Sequence, residues 1–320
     1  MKKSIIKNIN ILQGQSLVEI VIAMAIGVIL IGNSVILIGA SLQSSSSVKQ
    51  CLQVNFLIRQ ESEAIESLAQ NNWHSIYALS KETDYHINLS SNIWEIDSEQ
   101  EVGVINNIPY KRYFQVYNVG RDSNGDISES GIDDPNTQKI VIYLDYGNNY
   151  LNSSSIGFYL IRSANNQVFH QTDWSGGEGQ IGPIPNPGNR FGSAVNINFS
   201  TEGQITMATT TLDAELISSI LDTGIEGGAG YNSLLWLGSF NAGGNVKFQI
   251  AFSNSPSGPW VYYGPSSSED WYQLNPNTGY TFPINDSASP QNKRYIRYKV
   301  HLSTTGVSPK VEEVIINWCP

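Results

Sequence analysis

The chain has 320 residues, too long for one ordinary domain and about right for two. Its 18 Lys+Arg against 28 Asp+Glu leave a formal charge of −10, which argues against a phosphate-tracking nucleic-acid binder. Only 14% of residues are charged and 28 are Gly, a balance that favours turn-rich extracellular β modules over helical cytosolic enzymes.

Lys2, Lys3 and Lys7 precede an almost wholly apolar run from Leu17 to Ile38, whose one charge is Glu19. At 1.5 Å per residue this run spans about 33 Å, enough to cross a bilayer core. The next cation is Lys49, so the positive-inside rule puts the N-terminus in the cytoplasm and the remainder outside. A secretory signal would have a shorter core with small residues after it, whereas Gly14 lies before this one. A carboxylate inside a span is costly and points to function. The alternative is a Glu at the membrane edge that snorkels to water.

Gly14-Gln15-Ser16-Leu17-Val18-Glu19 resembles the class III signal of type IV pilins and pseudopilins. The resemblance implies cleavage after Gly14 by a prepilin peptidase and methylation of the new N-terminal residue, Gln15. It also implies an assembly role for Glu19, the fifth mature residue. The family usually has Phe where this chain has Gln15. Loss of the leader would take the formal charge from −10 to −13, since Lys2, Lys3 and Lys7 go with it. Cleavage creates an α-amino group that is charged near neutral pH. In a filament, Glu19 can neutralise the terminal amine of a neighbouring subunit. A paired carboxylate in an apolar bundle costs far less than a bare one, so the pairing favours the correct axial register.

The helix is expected to continue past Ile38, with a flexible point at Ser44 to Ser47. Val54, Leu57, Ile58, Ile65 and Leu68 recur at helical spacing with Glu61 completing the stripe, while Arg59, Glu63, Glu66 and Gln70 fall elsewhere. This reads as an amphipathic helix laid on a sheet and ending near Asn71-Asn72, the arrangement that pilins have. Strand patterns follow at His86–Leu89, Trp94–Ile96, Tyr110–Val119 and Ile140–Asp145. They are expected to form one antiparallel sheet covered on one side by the helix, an α+β order.

Asp122 to Asp134 packs five carboxylates, four Asp and one Glu, and an Asn into thirteen residues. Asp122, Asn124, Asp126 and Asp133 fall at the first, third, fifth and twelfth positions of an EF-hand-like loop, whose hard oxygens would suit Ca²⁺. Its glycine is one position early, and its twelfth residue is Asp instead of Glu. The alternative is an Asn-Gly turn between two strands with solvated acids around it. No cofactor is otherwise required.

The run Gly182-Pro183-Ile184-Pro185-Asn186-Pro187-Gly188 marks a linker. Beyond it, alternating strands at 246–253, 296–303 and 314–318 predict a two-sheet jelly roll. Leu221-Asp222-Thr223-Gly224, Leu235-Trp236, Phe248-Gln249-Ile250, Gly258-Pro259-Trp260 and Arg294 to Val300 resemble galactose-binding-like sandwich modules. Such modules occur on bacterial surface proteins and often bind glycans. Trp260, Tyr262, Tyr263 and Trp271 are candidates for a sugar-stacking platform; core packing is the alternative. Cys51 and Cys319 can pair if both face an oxidising compartment, or stand as two unrelated thiols.

The four histidines are scattered, and neither H-E-x-x-H nor G-x-S-x-G occurs, so no enzyme is expected. The expected plan is a leader at 1–14, a transmembrane helix at 15–40 and a pilin-like helix plus antiparallel sheet at 41–165. A Gly/Pro-rich linker at 166–190 and a β-sandwich at 191–320 complete it. The expected role is a minor pilin in the bacterial inner membrane, passing to a filament or the cell surface. Its partners would be other pilin subunits, prepilin peptidase, the inner-membrane assembly machinery and surface glycans. Two alternatives stand beside it: a pseudopilin of a type II-like secretion system, and a membrane-tethered carbohydrate-binding protein.

Overall fold

The computed structural model describes residues 12–90, 93–178, 188–283, 286 and 288–320, with the backbone alone at 12–16, 93 and 164. The middle of the expected linker, 179–187, lies outside the described residues. The chain divides into two compact units, Met1–Arg59 and Gln60–Pro320.

Helix α1 runs from Leu12 to Asn71. In the first unit every side chain from Leu17 to Ile38 is exposed except at Gly27. A helix that is apolar all round has no favourable surface in water, and this one is long and apolar enough to cross a membrane. Ser44 to Ser47, expected as a flexible point, is continuous helix. The physical reason is local: Ser47 Oγ donates to the Gln43 carbonyl at 3.1 Å, so the hydroxyl is taken up by the helix itself. The amphipathic stripe is buried at Val54, Leu57, Ile58, Glu61 and Ile65, with Leu68 half-buried. Arg59, Glu63, Glu66 and Gln70 are exposed.

In the second unit the helix end Gln60–Asn71 is followed by a short helix α2 (His74–Tyr77) and a hairpin of β1 (His86–Ser90) and β2 (Ile93–Asp97). A four-stranded antiparallel sheet follows, in the order β3 (Glu101–Ile105), β4 (Ile108–Arg121), β5 (Ile132–Tyr146), β6 (Asn152–Ile161). The strands therefore do not all join one sheet as expected. The hairpin stands apart and meets β4 through a bridge between Tyr85 and Phe114. Alternate residues Phe114, Val116, Ile140, Ile142 and Leu144 are buried on one face.

A buried ion cluster ties the helix to this sheet. Glu61 is 1% exposed; one of its oxygens accepts the Ile87 N–H at 2.9 Å and the other lies 3.2 Å from Arg112 Nε. Arg112 also reaches Glu101, its cross-strand partner, at 2.6 Å. A helix carboxylate thus meets a strand guanidinium inside the protein, where removing Arg112 would leave Glu61 buried without its counter-charge, while Arg112 keeps Glu101 if Glu61 is lost.

The rest of the unit is a two-sheet antiparallel sandwich. In chain order come β7 (Gln167–Gln171), β8 (Phe191–Val195), β9 (Ile197–Asn198) and β10 (Thr206–Met207), the last two forming a small ribbon of their own, then β11 (Ala214–Ser218) and β12 (Leu221–Asp222). They continue with β13 (Gly230–Ser239), β14 (Gly244–Ser253), β15 (Gly279–Thr281), β16 (Tyr295–Thr304) and β17 (Lys310–Cys319). One sheet runs β12-β16-β11-β8 with β14 also on β16, and the other runs β15-β13-β17-β7. From β13 to β17 each successive strand lies in the opposite sheet, in jelly-roll fashion. Both inner faces feed one core that includes Leu216, Leu234, Trp236, Phe248, Tyr298, Val300, Val314 and Ile316. The start of the expected linker is strand: β7 pairs with β17 and places Phe169 in that core.

Burial pushes the Glu61 carboxyl above its ordinary 4.5, although Arg112 and the Ile87 N–H favour the ionised form. A carboxyl raised in the fold stabilises fully below pH 4.5 and loses that contribution as pH rises through its folded value. Relative to Glu61→Gln, the wild-type melting temperature should therefore rise as pH is lowered from 7 toward 4.5. A constant difference across that range would mean that Glu61 titrates alike in the folded and unfolded chain.

Candidate functional site

Gly14 and Gln15 lie in the first turn of α1, where only the backbone is described. Glu19 is exposed, four residues beyond Gln15 and so on the same helical face. One surface of the helix therefore carries both positions.

The acidic loop hydrogen-bonds to its own backbone. Asp122 Oδ1 accepts the N–H groups of Asn124 and Asp126 at 2.9 and 3.0 Å, and the Asp126 carbonyl accepts the Asp122 N–H at 2.9 Å. Gly125 supplies the left-handed φ of 86° that the turn requires. Asp133 sits away from this turn, on β5 opposite Gly120. Among the described residues no three His, Cys, Asp or Glu converge on a metal position. Asp122 thus spends its Oδ1 on local N–H groups, as a turn-forming Asp does.

The four candidate aromatics divide. Tyr263 packs against the sandwich core, because its segment pairs in extended form with Ile250 and so turns successive side chains to opposite faces. Trp260, Tyr262 and Trp271 cover the outer face of the β14–β16 sheet. Arg297 lies 5.6 Å from the Trp260 ring, Lys299 4.7 Å from Tyr262, and Lys247 5.2 Å from Trp271. One face of each ring is thus already taken by a cation. The sequence alternation on β16 anticipates this, with Arg297, Lys299 and His301 outward and Ile296, Tyr298 and Val300 inward.

Both cysteines are free. Cys51 is exposed on α1, whereas Cys319 is buried at the end of β17, its thiol 3.4 Å from the Gly230 carbonyl. Cys319 is enclosed by the sandwich. Burial pushes its thiol upward, which makes it less reactive.

Beside Cys319 lies a group that the sequence did not reveal. Arg162, directly after β6, is 3% exposed. Its Nε donates to the Pro320 carbonyl at 2.7 Å, Nη1 to Asn292 Oδ1 at 2.9 Å, and Nη2 to the Gly228 carbonyl at 2.5 Å. His74 of α2 reaches the same carbonyl through Nε2 at 2.8 Å, which assigns the ring proton to Nε2. Burial holds His74 below its ordinary 6.5, and the nearby guanidinium adds to that. Gly228 adopts φ 93° against the backbone of Asn292, where a side chain would collide.

A cleft of about 770 Å³ opens between the β4–β5 hairpin and strand β13. Asp134, 3% exposed, accepts from Arg121 Nε at 2.7 Å, Thr137 Oγ1 at 2.6 Å and the Asn136 N–H at 2.9 Å. Two amide pairs span the junction: Asn136 Nδ2 donates to Gln291 Oε1 at 2.7 Å, and Asn232 Nδ2 to Asn166 Oδ1 at 3.0 Å. Gly230 runs beside the first pair, with room for no Cβ between the two amide oxygens. No single motif in the sequence signals this cleft, because its lining comes from segments far apart in the chain.

No family model matches the chain, and no curated protein matches it. Among solved structures, it is similar to a chain from a study of promiscuous specificity in carbohydrate-binding modules of the β-sandwich superfamily. That match has 13% identity over 76% of this chain and 100% of the other, with a TM-score of 0.21. It is also similar to a chain in the structure of infectious bursal disease virus Gx strain, with 12% identity over 73% of this chain and 64% of the other, and a TM-score of 0.20. At such values the likeness carries nothing about function.

Replacing Arg162 by Met should strand the Pro320 and Asn292 acceptors, while His74 keeps the Gly228 carbonyl satisfied. At about 1–3 kcal/mol per unsatisfied buried group, the expected loss is at least about 2 kcal/mol in a urea titration. Arg162→Lys should fall between, since one ammonium cannot reproduce the planar fork. A Met variant as stable as the wild type would remove Arg162 from the joint.

Proposed function

We propose that this chain is a type IV pilin-like filament subunit, a minor pilin that displays its C-terminal sandwich for adhesion or surface contact, and not an enzyme. The observation that carries the reading is helix α1. It is continuous from Leu12 to Asn71, apolar and exposed through the span, and its end is tied to an antiparallel sheet by Glu61 and Arg112. Within Leu17–Ile38 the one charge is Glu19, placed five residues after Gly14. A tether alone has no use for that carboxylate, and an assembling helix does.

In this reading a prepilin peptidase cuts after Gly14, Gln15 is methylated, and Glu19 neutralises the amine of the next subunit. The chain sits in the bacterial inner membrane with its N-terminus inside before the assembly machinery passes it into a filament. A bulky sandwich suits a displayed minor subunit more than a close-packed major one. A pseudopilin of a type II-like secretion system shares the same helix chemistry.

Intact mass and N-terminal sequencing of the membrane-extracted protein should give a chain starting at Gln15. The Gly14→Ala variant should retain the leader. Glu19→Ala should be processed yet absent from sheared filaments, accumulating in the membrane. A wild-type chain that still starts at Met1 sinks the pilin assignment. A wild-type chain that stays in the membrane and never enters filaments, with Glu19→Ala behaving alike, would favour a membrane-tethered binding protein, and a periplasmic pseudopilus carrying the wild type would select the secretion reading.

A further inference from the structure

We propose that the cleft between the β4–β5 hairpin and β13 binds a neutral saccharide. Its volume of about 770 Å³ falls within the ~300–1,000 Å³ of small-molecule sites. It is also built on a braced floor: Asp134, Arg121 and Thr137 hold one another through hydrogen bonds of 2.6 to 3.0 Å. A site that is fixed before the ligand arrives loses less entropy on binding.

The charge pattern selects the ligand class. Arg121 and Asp134 neutralise each other, and Asp122 at the rim directs its Oδ1 to its own turn. Among the described residues of the lining no unpaired cation is offered to an anionic ligand, and no ring of carboxylates to a cationic one. The remaining polar groups are uncharged, with amides at Asn136, Asn166, Asn232 and Gln291. Each amide has both donors and an acceptor, as a sugar hydroxyl does, so one face can satisfy a hydroxyl in either role. The serine hydroxyls of the lining, Ser123 and Ser163 among them, add the same dual character at the mouth.

Apolar surface completes the match. Ile132 is 56% exposed and Ile161 50%, and both line the cleft beside Pro283. A pyranose has C–H faces as well as hydroxyls, and side chains of this kind cover them without competing for hydrogen bonds. By contrast, Trp260, Tyr262 and Trp271 on the distant sheet each hold a cation over one ring face, and they cover their own sheet. The cleft, and not that aromatic layer, is therefore assigned as the saccharide site.

The full-length chain in detergent can be titrated by calorimetry with maltotriose, cellotriose, triacetylchitotriose and β-1,4-galactotriose, with trigalacturonate as the anionic counterpart. Because unassembled protein is used, the result stands apart from whether α1 builds a filament. At least one neutral trisaccharide should bind at millimolar concentration or tighter, and trigalacturonate should bind at least tenfold more weakly. Ser163→Trp fills the mouth from an exposed position, and Asn166→Ala removes one amide; each should weaken binding at least tenfold. Trp260→Ala should leave binding unchanged. If Ser163→Trp does not fold, as judged by its melting curve, Asn166→Ala carries the comparison. No binding by any neutral trisaccharide overturns the proposal. So do binding that survives both cleft variants, binding lost in Trp260→Ala, and a preference for the uronate.

Discussion

The second unit depends on one buried cation. A guanidinium carries five N–H donors and is costly to strip of water, so it stays buried only where acceptors are arranged around it. Arg162 meets that demand with backbone carbonyls and an amide from sequence positions 228, 292 and 320. Burial lowers its pKa to about 10, which still leaves it protonated at neutral pH. The residue follows β6 of the first sheet, while its partners belong to the sandwich. His74 from the turn after α1 joins the same Gly228 carbonyl. Helix end, sheet and sandwich thus share one hydrogen-bond centre, a joint held by Arg162.

That joint gives the cleft its meaning. An opening between two mobile domains would have no constant shape. Here the Asn136–Gln291 and Asn232–Asn166 amide pairs cross the same junction and keep the two walls in register. The Asp134–Arg121 pair braces one wall from beneath. The ion cluster of Glu61, Arg112 and Glu101 does comparable work at the other end of the sheet, where the helix docks. Charges buried in pairs with defined geometry specify an arrangement more than they add stability.

The two halves of the chain pose different physical problems. The segment Leu17–Ile38 has apolar side chains in every direction, so its stable environment must be supplied from outside, by lipid or by other helices. The remainder buries its own apolar residues between sheets and presents an acidic, turn-rich surface to water.

The N-terminal run, its lone Glu19 and the strands at 110–119, 140–145, 246–253, 296–303 and 314–318 were legible because period and hydropathy are local properties of a sequence. The outward Arg297, Lys299 and His301 followed from the same alternation. Other features were decided only by tertiary contacts. Asp122 turned to its own backbone, Tyr263 faced inward while Tyr262 faced outward, and β7 emerged from the expected linker because β17 offered it an edge. Arg162, Asn136 and Gln291 carry no signal in their neighbourhoods; they become a joint and a cleft wall only when segments more than a hundred residues apart meet. The sequence by itself determined which stretches must avoid water and which must alternate. Where the polar side chains found partners was settled by the fold, because a hydrogen bond requires two groups to be brought within about 3 Å.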